Sequence, residues 1–158
     1  LEWRLPTQSG RSSSPANVME ISSNLSKEKQ FSLGGKPSEE HLNIIREFSS
    51  GGLPDNYISF MTEHDGGEGF IGDQYVILYR AAEIPGHNKD YEIERLAPGF
   101  ILFGTNGGGE AFVFDTREGN HSVAMVPFIG MSHGDATSVG DSFSDFVSRL
   151  VGRESLFE

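Results

Sequence analysis

Apolar residues recur at helical spacing in three stretches of the chain. In 38–48 they are Leu42, Ile45 and Phe48, behind Ser38 as an N-cap and the acids Glu39 and Glu40 in the first turn. Gly51-Gly52 is placed to end this helix. In 53–61, Pro54 opens a second helix whose Tyr57, Phe60 and Met61 fall on one face. In 141–150, Phe143, Phe146, Val147 and Leu150 stand at i, i+3, i+4 and i+7. Between the second and third helices the pattern changes to short β-branched and aromatic runs, at 69–72, 75–79, 100–103, 110–114 and 122–127. Ala81–Ile84 adds one helical turn, and Asp65-Gly66-Gly67 and Gly119-Asn120 mark turns. Helices, then consecutive strands, then a helix, without βα alternation, predict an α+β fold. The expected architecture is a single domain with a twisted, mostly antiparallel sheet flanked by helices. Residues 1–35, rich in Ser, Gly and short polar side chains, predict a poorly ordered or loosely docked tail. The domain is expected over 36–152, with 153–158 a C-terminal tail.

Composition narrows the function more than the fold. The 158 residues fit one domain, and twelve phenylalanines supply a core. The absence of cysteine excludes disulfides and thiolate metal sites. No apolar run is long enough to span a membrane, and the first residues carry no secretory h-region, so a cytoplasmic setting is expected. A net charge of −11 argues against nucleic-acid and anionic-membrane partners and permits a basic protein partner. The acidity is concentrated: residues 53–73 hold Asp55, Glu63, Asp65, Glu68 and Asp73 and neither Lys nor Arg.

Two glycine loops, "HDGGEGFIG" at 64–72 and "TNGGGEAFVFD" at 105–115, invite a phosphate-cradle reading. The second has Phe112 where a dinucleotide fingerprint needs its third glycine, and a strand pattern follows in place of a helix. Gly35-Lys36 precedes Pro37, so no P-loop is present. The loop instead reads as a hairpin, with Asn106-Gly107 supplying positive φ at its tip. Gly130-Met131-Ser132-His133-Gly134 fits the nucleophile-elbow pattern but lacks the following helix and a later histidine. The five histidines are scattered, so no metal site and no cofactor are expected. Glu68 and Glu110 each follow a glycine pair. They are able to bond their own loop's N–H groups, to meet a partner, or to face each other as an acid/base pair.

The motifs "LPDNYISFM" (53–61), "DGGEGFIG" (65–72), "PGFILFGTNGGGEAFVFDTR" (98–117) and "SFSDFVSRL" (142–150) follow in an order that resembles the SUKH superfamily, the Smi/Knr-type domain. In that likeness Leu53, Pro54, Tyr57, Phe60, Gly66, Gly67, Gly69, Gly104, Gly108 and Gly109 are the structural positions. The resemblance implies a single α+β domain without catalytic residues. It implies a cytoplasmic immunity protein that binds and neutralises a toxin domain, such as a nuclease. Fungal members imply an alternative, a cell-wall or signalling scaffold. Joined to the charge pattern, this makes Glu63, Asp65, Glu68, Asp73 and Glu110 the candidate contacts to a basic toxin domain. The chain is expected to act as a monomer or weak homodimer. A small hydrolase using Ser132, or the Glu68/Glu110 pair, is the remote alternative.

Overall fold

Among the described residues, seven strands follow one another across a single sheet in chain order, every neighbouring pair antiparallel. They are β1 Phe31–Leu33, β2 Gly67–Ile71, β3 Gln74–Leu78, β4 Phe100–Thr105, β5 Glu110–Asp115, β6 Ser122–Pro127 and β7 Thr137–Gly140. The helices are α1 Pro15–Ser26, α2 Glu39–Ser49, α3 Asp55–Glu63, α4 Ile84–Asp90, α5 Ile93–Leu96 and α6 Phe143–Val151. This is a computed structural model, and it describes residues 15–50 and 52–153. The molecule is one α+β domain, as the order of periodicities predicts.

The helices start where the sequence places their caps. Ser38 Oγ accepts from His41 N at 3.2 Å to open α2, and Ser142 Oγ accepts from Asp145 N at 3.0 Å to open α6. Pro54 is the N-cap of α3, where its missing N–H costs nothing. The end of α2 differs from expectation: Ser50 takes the left-handed turn at φ 49°, while Gly51 lies outside the described residues. The turn expected at 81–84 is a 3₁₀ turn over Ala81–Glu83 that runs on into α4. Strand β7 escapes the sequence pattern because Thr137 and Ser138 are exposed and only Val139 and Gly140 are buried.

The central strands are buried on both faces, and the aromatic part of the core lies between one face and α3 and α6. Phe103 and Phe114 stack at 4.2 Å, and Tyr57 of α3 stands edge-on to Phe103, Phe114 and Phe143 at 5.6, 5.0 and 5.1 Å. Phe112 meets Phe146 of α6 edge-on at 4.9 Å. Leu53 and Phe60 are buried with them, whereas Gly108 and Gly109 are exposed.

The N-terminal tail is corrected. Residues 15–33 form α1 and β1, with α1 packed on α6 and α3 and β1 paired to β2. Ile21 and Leu25, four apart on α1, are fully buried, and Phe31 is buried behind them. The segment looks polar because so few of its residues are apolar, yet those few face the core. Each buried Ile or Leu side chain there contributes about 1.5–3 kcal/mol. Arg153, placed by the sequence in the C-terminal tail, donates to Glu28 at 2.9 Å and ties the two ends together. The rest of the expected tails, 1–14 and 154–158, lies outside the described residues.

Candidate functional site

Strand register decides which candidate residues meet. Residues directly opposite in a sheet share a face, and neighbours along a strand alternate. Glu68 pairs with Ile77, Ile77 with Thr105, and Thr105 with Ala111. Glu110 is one residue from Ala111 and therefore starts on the opposite face from Glu68. Three strand spacings also separate them, about 14 Å. The proposed carboxylate pair is not assembled.

The elbow serine is not assembled either. Ser132 leads into a 3₁₀ turn at His133–Asp135, and its Oγ donates to Asp135 at 3.3 Å. The His133 ring is turned to the Pro98 carbonyl at 2.8 Å and lies edge-on to Phe100. A nucleophile would need that ring as its base.

The first glycine loop is a crossing of two chain segments. Gly34 N donates to Gly66 O and Asp65 N donates to Gly35 O, each at 2.8 Å. The Asp65 carboxylate accepts from Ala81 N at 2.7 Å, fixing the start of the 3₁₀ turn before α4. Gly66 has φ 74°, and a Cβ there would lie 2.3 Å from the Leu78 carbonyl oxygen. Gly67 and Gly69 continue on the core-facing side of β2, opposite Leu78 and Val76.

The second loop is a hairpin, with its tip built differently from expectation. Positive φ falls on Gly107 and Gly109, while the Asn106 side chain accepts from Gly108 N at 2.8 Å and Glu110 N at 3.1 Å. Thr105 Oγ donates to Glu110 O at 2.7 Å. Gly104, next to the last residue of β4, lies opposite Leu78 and Phe112.

Tyr75 joins the two loops. On the open face of β2 and β3 stand Glu68 and Phe70, opposite Ile77 and Tyr75. The Tyr75 hydroxyl donates to Glu68, and this bond holds the phenol above its ordinary value. The ring packs edge-on to Phe70 at 5.0 Å. It also lies against Gly107, where a Cβ would stand only 3.0 Å from Tyr75 Cδ2. Phe70 is 45% exposed. On the far side of the hairpin, Phe128 N donates to Gly109 O at 3.0 Å and its ring lies 4.3 Å from Tyr91. Ile129 beside it is 94% exposed. A surface of exposed aromatic and aliphatic side chains therefore surrounds a loop with few side chains of its own. Such anchors are typical of protein-binding faces.

The five candidate acids are not gathered on this face. Glu68 is on it, and Asp73 is exposed at the β2–β3 turn. Glu110 begins β5 on the helix side, and Asp65 is held by backbone. Glu63 ends α3 and lines a cavity of about 540 Å³ with Val18, Met19 and His64. A second cavity, about 510 Å³, lies beside Phe48, Lys89 and Ile101 and holds none of the expected residues. The sequence reading missed Phe70, Tyr75, Tyr91, Phe128 and Ile129 as site residues. The available signal was alternation, since Glu68 and Phe70 are two apart, as are Tyr75 and Ile77. Among the described residues, no group of three His, Asp or Glu is placed to hold a metal. No helix among them is long and apolar enough to cross a membrane.

No curated protein gives a significant match to the chain. Residues 36–149 match the family described as SMI1 / KNR4 family (SUKH-1), which leaves α1 and β1 outside the match. That span covers most of the chain and, but for Leu150, the motifs quoted above, so the chain belongs to the SMI1 / KNR4 family (SUKH-1).

Proposed function

We propose that this protein is a cytoplasmic, non-enzymatic immunity protein that binds and neutralises a basic toxin domain. Membership of the family fits a binding module of this kind. The observation that carries the reading is the open face around Tyr75, where exposed aromatic side chains and the Glu68 carboxylate flank two glycine loops. Aromatic anchors supply contact area, and a net charge of −11 steers a basic partner toward the molecule. In this reading Glu68 and Asp73 contribute to recognition, Asp65 holds the loop's shape, and Glu63 and Glu110, on the helix side of the sheet, do not take part. The test is co-expression with a toxin domain encoded beside this gene. Rescue of growth and a co-purifying complex are expected, and a toxin left active without a complex contradicts the reading.

The same face would serve a scaffold of the Smi/Knr type, and the family match favours that as the second reading. A gene neighbourhood without any toxin, together with a stable complex with a cell-wall or signalling protein, supports the scaffold.

A further inference from the structure

We infer that Glu68, Phe70 and Tyr75 form a seat for one arginine side chain of the protein partner. The inference rests on the binding function proposed above and names what that face recognises.

Three observations carry it. First, Glu68, Phe70, Tyr75 and Ile77 occupy the four corners of one two-strand square, with Phe70 opposite Tyr75 and Glu68 opposite Ile77. The carboxylate and both rings are therefore presented on the same face. Second, the rings meet at 5.0 Å and 70°, giving two aromatic walls nearly at right angles. A planar cation placed in that corner stacks on one wall and turns its own N–H edge toward the face of the other. Third, Glu68 is exposed and has no cationic partner among the described residues. Its Oε2 accepts from Tyr75, which orients the group and leaves Oε1 open to an N–H donor.

Guanidinium fits this arrangement better than ammonium. It stacks on aromatic faces, is less strongly hydrated, and presents N–H donors in its own plane. Gly107 keeps the Tyr75 ring accessible beside the hairpin. The far flank of Phe70 has a different character: Lys27, Lys29 and Arg153 line a cleft of about 360 Å³ there, with Arg153 paired to Glu28. These cations disfavour a second positive charge on that flank. The arginine is thereby directed to the Glu68 side.

The test uses the full chain and blocked arginine (N-acetyl-arginine methylamide), with blocked citrulline and blocked lysine as comparisons. Binding is followed by NMR at the Glu68, Phe70, Tyr75 and Gly107 amides and at the two aromatic rings. Saturable shifts confined to these groups are expected for arginine, with Kd about 10 mM. Citrulline should bind at least about fivefold more weakly. Glu68→Gln and Phe70→Ala should each abolish the saturable shifts, whereas Glu118→Gln, at an exposed position in the β5–β6 turn, should leave them unchanged. Shifts that are absent or scattered, that survive Glu68→Gln, or that are equal for lysine overturn the seat. The result is independent of toxin neutralisation. A toxin complex that retains full affinity with Glu68→Gln and Phe70→Ala removes the seat and leaves the binding function standing. Failure to form any complex removes the function itself.

Discussion

Asn88 shows how one side chain completes a sheet. Strands β3 and β4 pair only at Ile77 with Thr105 and Leu78 with Gly104. Beyond that point the Asn88 amide replaces the missing strand, donating to Leu102 O and accepting from Leu102 N, both at 2.9 Å. Its NH₂ also donates to Ile84 O at 2.8 Å. Asn88→Ala leaves buried backbone groups unpaired and should lower unfolding stability by about 3 kcal/mol in urea titrations. Tyr57 is the reverse case. Its hydroxyl is buried among aromatic rings and has no hydrogen-bond partner among the described residues. Burial, then the Asp65 charge, pushes its phenol far above the ordinary value. Because the folded value is raised, stability is intact below the unfolded phenol value of about 10 and declines as pH rises past it. Tyr57→Phe should therefore be neutral or stabilising by up to about 1 kcal/mol at neutral pH. It should also weaken the alkaline decline, as followed by denaturation at rising pH. Loss of several kcal/mol would show that the hydroxyl is satisfied in solution.

At the scale of elements, the N-terminal helix is the main departure from what the sequence discloses. The helices at 38–48, 53–61 and 141–150 are legible because each repeats apolar residues on one face. In α1, Ile21 and Leu25 are diluted by Ser, Asn and Glu, so periodicity is weak although both side chains are fully buried. Leu25→Ala should cost about 2–4 kcal/mol in thermal or urea unfolding. A change near zero would mean that α1 contributes nothing to the folded domain. The end of β5 carries a second element-scale prediction. Arg117 clamps Asp115 with two side-chain bonds, at 3.0 and 2.9 Å, and lowers that carboxyl's pKa. With a lowered folded value, this contribution is present above the ordinary carboxylate value of about 4 and is lost as pH falls through the folded one. Asp115→Asn should thus destabilise at neutral pH, and the difference from the parent should shrink as pH falls below the ordinary carboxylate value. A difference independent of pH would contradict the ion-pair account. The partly exposed setting keeps the effect modest.

At the scale of the whole molecule, the fold was more legible than the site. Runs of consecutive strands without intervening helices dictate an antiparallel sheet, and turn glycines mark the joints. The grouping of Glu63, Asp65, Glu68, Asp73 and Glu110 could not be read the same way. Closeness in sequence does not reveal which sheet face a residue occupies, and that depends on register across β2 to β5. Register puts Glu68 with Phe70 and Tyr75 and puts Glu110 on the other side. The account therefore predicts a compact recognition face with an aromatic centre. The most direct measurement is calorimetric titration of the full chain with its proposed partner, a basic toxin domain. The account predicts a one-to-one complex whose affinity falls with added salt. Phe70→Ala and Glu68→Lys should each weaken that affinity at least about tenfold. An absent complex, or one indifferent to both substitutions, would contradict it.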